Sequence, residues 1–251
     1  LGISYDANSM HMIFTGNPGS AKTSVARLLG QILREKEILS TGNFVECGRG
    51  DLVGEYVGWT AKTVQKKFRL AGGGILFIDE AYSLAQEKGS PYDFGGEAIQ
   101  IILKRMEDMR GKFGVIVAGY THNMHGFINS NPGLKSRFDK YFHFEDYTPD
   151  QMFIIALSMY RKEGVMPDVD AATHLKAYFT ALFNHRDEFF GNARTVRQVV
   201  AESVKNQNLR LAATRKEDRT PDLMATIILE DVQEFDPKNV SGGKAKIGFK
   251  P

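Results

Sequence analysis

The most informative segment of the chain is His11-Met-Ile-Phe-Thr-Gly-Asn-Pro-Gly-Ser-Ala-Lys-Thr-Ser24. It reads as an apolar strand, a glycine-containing loop, and a helical pattern that begins at Lys22. In such a loop the backbone N–H groups surround a polyphosphate, the helix N-terminus adds partial positive charge, and the lysine reaches the terminal phosphates. Thr23 is suited to hold Mg²⁺. We therefore predict a nucleoside triphosphate site formed by Gly16, Asn17, Pro18, Gly19, Ser20, Ala21, Lys22, Thr23 and Ser24.

One position departs from the G-x-x-x-x-G-K-[ST] pattern, because Ala21 stands where a glycine is expected before Lys22. Alanine tolerates helical backbone angles better than glycine does, but it disfavours positive φ. We therefore expect the loop to keep its function only if residue 21 is already helical. An ordinary glycine turn without a ligand is the alternative interpretation, which the order of strand, loop and helix disfavours.

A second stretch, Gly74-Ile-Leu-Phe-Ile-Asp-Glu80, is a continuous apolar run that ends in two acids. Such a run is typical of a buried parallel strand. At its carboxyl end Asp79 is predicted to hold the Mg²⁺ shell, and Glu80 to orient and deprotonate a water aimed at the γ-phosphate. The alternative is a strand followed by a solvated acidic turn, which the phosphate loop upstream disfavours, so the two acids indicate hydrolysis.

Composition limits the possible classes of protein. With 251 residues, 42% of them hydrophobic, the chain is long enough to form one large and one small domain. Its 32 basic and 30 acidic residues give a formal charge of +2, so no net field favours nucleic acid or an anionic membrane. We therefore expect no membrane partner, and a nucleic-acid partner is unsupported.

The single cysteine, Cys47, cannot form an internal disulfide, so we interpret it as an inert core thiol in a reducing compartment. No apolar run reaches the ~18 residues of a membrane span, and the start of the sequence lacks the pattern of a signal peptide. These features predict a cytoplasmic protein. Because the chain starts with Leu1 instead of Met, we also expect that an upstream segment has been removed or omitted.

Predicted strands and helices alternate along the first part of the chain. The strands are predicted at 11–15, 43–47, 75–79, 114–119 and 140–144, and the helices at 22–38, 60–71, 97–109 and 121–128. This alternation predicts an α/β fold with a five-stranded parallel sheet flanked by helices, over a large nucleotide-binding domain of residues 1–147. One apolar stripe is interpreted as core and not as a binding site: Ile99, Ile102, Leu103 and Met106.

After residue 147 the pattern becomes helical, and no strand pair is predicted. Thr148-Pro-Asp-Gln151 is a capping box that starts a helix, with proline at the first helical position. We predict a small helical domain over 148–235, followed by a tail or linker over 236–251. Three apolar stripes are expected to form its core: Met152, Ile155, Ala156 and Met159; Leu175, Tyr178, Phe179 and Leu182; Val196, Val199, Val200 and Val204.

Six short motifs follow one another over roughly residues 10–213. They are Gly16-Asn-Pro-Gly-Ser-Ala-Lys-Thr23, Leu52-Val-Gly-Glu-Tyr-Val-Gly58, Ile78-Asp-Glu-Ala-Tyr82, Val117-Ala-Gly-Tyr120, Asn131-Pro-Gly-Leu-Lys-Ser-Arg137 and Asn192-Ala-Arg194. In this order they resemble the CbxX/CfqX family of AAA+ ATPases. The resemblance implies a P-loop AAA+ domain with a helical lid, and a ring motor, usually a hexamer, in which each nucleotide lies between neighbouring subunits.

In this resemblance Arg137 corresponds to the arginine finger that reaches the γ-phosphate of the next subunit, a contribution worth ~10³–10⁵ in rate. Lys135 competes for the role, although a planar guanidinium suits spread phosphoryl charge better. A surface arginine with an ion partner is the other alternative for Arg137.

The resemblance also implies which residues contact the nucleotide. Arg194 corresponds to sensor 2, the lid arginine, while Arg197, one helical turn further, stays an alternative. Tyr120 occupies the sensor 1 position, where other AAA+ proteins have an asparagine, and Thr121 and Asn123 lie next to it. Because no Asn-Lys-x-Asp guanine-binding element is present in the sequence, the expected cofactors are ATP and Mg²⁺.

Tyr56, Val57 and Gly58 resemble the first pore loop of AAA+ unfoldases, in which an aromatic residue grips a polypeptide inside the ring. An aromatic side chain offers a large contact area that tolerates varied sequences. The alternative, that Tyr56 packs in the core, is disfavoured by its flanking glycines.

The implied function is an ATP-hydrolysing ring motor that remodels an unidentified protein client. Two alternatives stay open: a P-loop nucleotide-metabolising enzyme, and a nucleic-acid-associated AAA+ loader. The first would need an acceptor pocket, and the second a basic channel or a helix-turn-helix appendage, and neither feature is evident in the sequence.

Overall fold

A computed structural model of the chain describes residues 10–54, 56, 58–85 and 94–240. The chain divides into two compact units. Among the described residues, the first unit comprises 10–16 and 21–144, and the second comprises 17–20 and 145–240. The apex of the phosphate loop, residues 17–20, thus belongs to the second unit although its flanking residues belong to the first.

The first unit is built on a parallel sheet with the order β2-β3-β4-β1-β5. The strands are β1 (Met12–Gly16), β2 (Phe44–Cys47), β3 (Ile75–Ile78), β4 (Gly114–Gly119) and β5 (Lys140–Phe144). The prediction of a five-stranded parallel sheet is therefore confirmed. Every residue of β3 and β4 is buried, because helices cover both faces of the sheet's centre.

Among its described residues, the first unit contains six helices. They are α1 (Lys22–Glu35), α2 (Arg49–Leu52), α3 (Trp59–Ala71), α4 (Phe94–Asp108), α5 (Thr121–Asn129) and α6 (Pro132–Arg137), with a 3₁₀ turn at Ala81–Ala85. Helix α1 ends three residues before its predicted limit, since Glu37 adopts φ +58° and the Ile38 N–H bonds back to the Leu33 carbonyl. A left-handed residue of this kind is a common way to end a helix.

Alternate residues of the strands face two separate apolar clusters. Ile13, Ile78 and Val117 pack with α3 and α4, including the predicted stripe of α4, which is core as expected. Phe14 and Phe77 pack on the opposite face with Ala26 of α1. Cys47 is 1% exposed, and burial raises the pKa of its thiol to about 12, which confirms an inert core thiol.

The second unit is mainly helical. It contains α7 (Pro149–Lys162), α8 (Val169–Asn184), α9 (Asn192–Ala213), α10 (Pro221–Ala225) and α11 (Leu229–Val232), with 3₁₀ turns at Lys216–Asp218 and Pro237–Asn239. It also contains a parallel pair, β6 (Met166–Pro167) and β7 (Thr226–Ile227). The expectation of no strand pair after residue 147 is wrong, because two-residue strands are too short to show a period.

The predicted capping box is present at the start of α7. The Gln151 N–H donates to the Thr148 hydroxyl oxygen at 3.3 Å, and the Thr148 N–H donates to the Gln151 side chain at 2.9 Å. The three predicted stripes pack together in the core of this unit. Val240 also packs against that core, so the folded part extends beyond the predicted limit of residue 235.

Within the ranges that the structure describes, no helix is both long enough and apolar enough to cross a membrane.

Candidate nucleotide-binding site

The phosphate loop connects Gly16, the last residue of β1, to Lys22, the first residue of α1. Gly19 adopts φ +71°, and Ala21 adopts φ +69° and ψ +17°. The condition that residue 21 be helical is not met, because Ala21 is left-handed and precedes the first helical residue. This conformation explains why the usual pattern has glycine here, since an alanine adopts it at a cost of roughly 1–2 kcal/mol.

Polar contacts inside the loop fix its shape. Lys22 Nζ donates to the Gly16 carbonyl at 2.9 Å, so the ammonium group lies against the loop it is predicted to serve. At the apex, Ser20 is buried, and its hydroxyl donates to the Asn17 carbonyl at 2.8 Å. Thr23 is half-buried and Ser24 is exposed at the start of α1.

The two predicted acids follow the fully buried strand β3. Asp79 is half-buried, and its Oδ1 accepts the Glu80 N–H at 3.0 Å. Glu80 is exposed and adopts φ +48°, a strained conformation for a residue with a side chain. Strain of this kind concentrates at functional sites, where the surrounding structure maintains it.

The sheet order brings these parts to one edge. Strands β3, β4 and β1 are parallel neighbours, so the acids after β3, Tyr120 after β4 and Gly16 at the end of β1 all lie at the carboxyl edge of the sheet. This edge is where open parallel sheets bind their ligands.

The residues present fit ATP and Mg²⁺. Thr23 and Asp79 offer hard oxygen ligands, which Mg²⁺ prefers. No group of three or more His, Cys, Asp or Glu residues suited to a metal occurs in the part of the chain that the structure describes. Mg²⁺ usually takes one or two protein ligands and completes its shell with water and phosphate oxygens.

Tyr120 lies beside Tyr82, with ring centroids 6.1 Å apart. Burial raises the pKa of the Tyr82 phenol and the nearby Glu80 carboxylate raises it further, whereas a hydrogen bond with Asn123 lowers it. The structure therefore brings Glu80, Tyr82, Tyr120 and Asn123 together at this edge.

Arg137 is the last residue of α6, which Asn131 caps by accepting the Gly133 N–H at 2.8 Å. Its guanidinium donates to the Glu107 carboxylate of α4 at 3.3 Å and to the Gly133 carbonyl at 3.4 Å. Its side chain is 28% exposed, and that of Glu107 is 59% exposed. The ion partner named as an alternative is thus present, while the competing Lys135 is exposed.

Arg194 and Arg197 are both exposed and lie one turn apart on α9. Arg194 immediately follows Ala193, whose N–H donates to the Gly19 carbonyl at 3.3 Å. Of the two arginines, Arg194 is therefore adjacent in sequence to a contact with the loop apex, which favours it over Arg197.

The predicted pore-loop residues precede α3. Tyr56 is 60% exposed and Trp59 is 53% exposed, and their rings meet edge to face with centroids 4.8 Å apart. Gly58 adopts φ +78° directly before the helix, and Val57 lies outside the described residues. Packing of Tyr56 in the core is excluded by its exposure.

Comparisons with known proteins agree with this geometry. The profile of the ATPase family associated with various cellular activities (AAA) matches residues 12–146, and that of the AAA lid domain matches residues 148–242. Protein CbbX from Cereibacter sphaeroides is 36% identical over 233 residues, which cover 93% of this chain and 74% of that protein. The chain belongs to the CbxX/CfqX family of AAA+ ATPases.

Two further relatives support the family. The AAA+ ATPase is 42% identical over 211 residues to stage V sporulation protein K from Bacillus subtilis (strain 168), covering 84% of the chain and 65% of that protein. A chloroplastic ribulose bisphosphate carboxylase/oxygenase activase from Cyanidioschyzon merolae is 37% identical over 234 residues, which cover 92% of this chain and 78% of that protein. The chain thus spans just under two thirds of the sporulation protein.

Among solved structures, the crystal structure of the FIGL-1 AAA domain resembles this AAA+ ATPase with a TM-score of 0.63 at 15% identity. The match covers 94% of the chain and 72% of the other protein. At this identity the likeness supports the fold alone. ATP binding and hydrolysis are assigned by membership of the AAA+ ATPases.

Three side chains at or near the site of this ATPase are not predicted from the sequence. Tyr82 occurs in a quoted motif, but its position beside Tyr120 depends on the neighbouring strand. Glu107 and Asp146 contact predicted site residues only through tertiary structure. No local pattern could have identified these three side chains.

Proposed function

We propose that this AAA+ ATPase is a hexameric ring motor that hydrolyses ATP between subunits and remodels a protein client gripped by Tyr56. The observation that carries the proposal is the exposed aromatic pair of Tyr56 and Trp59 before and at the start of α3. Exposed aromatic side chains rimmed by polar residues often mark interaction sites. Their broad apolar surface suits a client of varied sequence.

The hydrolysis step is assigned to residues of the first unit. Mg²⁺, when bound, neutralises charge on the β- and γ-phosphates. Thr23 and Asp79 would hold it through their oxygen atoms. Lys22 binds the terminal phosphates, while Glu80 orients the attacking water and accepts its proton.

Arg137 supplies the positive charge that completes the site of the neighbouring subunit. Its ion pair with Glu107 is partly exposed, and exposed pairs contribute only ~0–1 kcal/mol. The guanidinium can therefore leave Glu107 for the γ-phosphate at little cost. A trans arginine also makes hydrolysis depend on assembly.

Relatives named Rubisco activase support a protein client, and Rubisco is one candidate. The proposed client class is therefore a polypeptide. A cytoplasmic location remains a prediction from composition.

The proposal is tested by measuring specific ATPase activity against protein concentration, with sedimentation velocity on the same samples. We expect activity to rise as the ring assembles. Arg137→Ala should reduce activity by ~10³-fold or more, as for other arginine fingers. The control Lys135→Ala alters an exposed charge on the same helix and should retain activity. A monomer with full activity would contradict the proposal.

A further inference from the structure

We propose that Asn192 is a positioning residue that holds the apex of the phosphate loop in its binding conformation before nucleotide arrives. The apex, residues 17–20, and the first turn of α9 belong to the same compact unit. Side-chain hydrogen bonds connect Asn17, Asp146 and Asn192, and we call these three residues the apex clamp.

Asn192 is fully buried, and its side chain connects three parts of the unit. Its Nδ2 donates to the Pro18 carbonyl at 3.3 Å and to Asp146 Oδ1 at 2.7 Å. Its Oδ1 accepts the Tyr147 N–H at 2.7 Å. Asn192 also adopts φ +47°, a conformation that asparagine tolerates better than most residues. Asparagine therefore supplies a donor, an acceptor and the required backbone at one position.

Asp146 joins the two ends of the clamp. Its carboxylate accepts Asn17 Nδ2 at 3.1 Å and 3.2 Å, in addition to the bond from Asn192. Arg186 Nε lies 3.6 Å from Oδ2 of the same carboxylate. Hydrogen bonds to an ionised group are stronger than neutral ones. One half-buried carboxylate thus fixes both the first residue of the apex and the first residue of α9.

The backbones of the apex and of α9 are in direct contact as a result. A Cβ at Gly19 would lie 2.4 Å from the Gly191 carbonyl oxygen and 2.7 Å from the Arg194 nitrogen. The Ala193 N–H, one of the donors that a helix N-terminus leaves unpaired, instead bonds to the Gly19 carbonyl. The clamp therefore holds residue 19 so close to the start of α9 that only glycine fits at this position.

A loop that is ordered in advance loses less conformational entropy when it binds a ligand. The clamp acts on the apex backbone, which is predicted to surround the phosphates shared by ADP and ATP. Loss of the clamp should therefore weaken ADP and ATP binding together and leave kcat at saturating ATP unchanged. A variant that merely unfolds part of the protein would lower kcat through a smaller active fraction, with the ADP affinity of the folded fraction unchanged.

The test is calorimetric titration of ADP into Asn192→Gly, a substitution that suits φ +47° and removes only the side chain. We expect Kd for ADP to rise ~10-fold, because the substitution removes a hydrogen bond to the charged Asp146 carboxylate. The matched control is Asn206→Ala, also on α9, whose Nδ2 bonds to the Asp231 carbonyl at 3.1 Å and to Glu234 at 2.6 Å. It should leave Kd for ADP unchanged.

An unchanged Kd for ADP in Asn192→Gly, or a lower kcat with unchanged Kd, would overturn the proposal. Should that variant not fold, Asp146→Ala decides, because the Asp146 carboxylate accepts from both Asn17 and Asn192. Its Kd for ADP should rise similarly, and no rise overturns the clamp. The ADP titration reports on the phosphate loop, whereas the motor proposal is tested by the dependence of ATPase activity on protein concentration and on Arg137, so the two proposals can fail separately.

Discussion

Replacing Ala21 by glycine should stabilise the protein, although the same change inside a helix does the opposite. Ala21 adopts φ +69°, where alanine is disfavoured by roughly 1–2 kcal/mol and glycine is not. Glycine costs about 0.5–1 kcal/mol more conformational entropy on folding. The difference predicts that Ala21→Gly raises the free energy of unfolding by about 0.5–1 kcal/mol.

The assay is urea unfolding followed by far-UV circular dichroism, together with fluorescence of Trp59, the single tryptophan, which lies in the same unit. Ala26→Gly is the matched control, since Ala26 is a buried interior residue of α1. It should lower the free energy of unfolding by about 1–2 kcal/mol, from helix propensity and the lost methyl group. If Ala21→Gly destabilises the protein as Ala26→Gly does, the left-handed assignment of residue 21 is refuted.

Three further predictions concern catalysis, client binding and pH. Glu80→Gln should retain ATP binding but slow ATP turnover by ~10²-fold or more, as expected when a general base is lost. An unchanged steady-state rate would show that Glu80 is not the general base. Tyr56→Ala should preserve basal ATP hydrolysis and abolish client remodelling. The control Leu70→Ala removes a comparably exposed side chain of α3 and should preserve both activities. Joint loss of both activities in Tyr56→Ala would mean that Tyr56 is structural. Burial lowers the pKa of His11 from 6.5 to about 4, so the unfolded chain binds a proton that the folded chain does not. The free energy of unfolding should therefore be unaffected by His11 above pH 6.5 and should fall by about 3 kcal/mol as the pH drops from 6.5 to about 4. His11→Asn should flatten the pH dependence of urea unfolding in that window.

Most of the framework could be predicted because it is encoded locally. The buried strand β3 reads as a continuous apolar run, and the stripe of α4 repeats at helical spacing. The capping box at Thr148 pairs residues three apart, so sequence alone contains both partners. The apolar runs of β1 and β3 are the features that place the phosphate loop and the two acids at the ends of strands.

The rest depends on backbone angles and on contacts between distant residues. The positive φ angles of Ala21 and Glu80 cannot be predicted from the periodicity of the side chains. Asp146 and Asn192 are 46 positions apart, and their bond exists only after the second unit has folded. Such pairings require the tertiary structure, which is why the apex clamp could not be found in the sequence.

If ATP is hydrolysed at an interface to which two subunits contribute, a mixture of two inactive variants should recover activity. Lys22→Ala lacks the phosphate-binding lysine, and Arg137→Ala lacks the arginine finger. In rings assembled from equal amounts, about a quarter of the interfaces combine an intact Lys22 with an intact Arg137 from the neighbour. We predict that the mixture regains ATPase activity in that proportion. If the mixture remains as inactive as each variant alone although mixed rings form, Arg137 does not act on the neighbouring site.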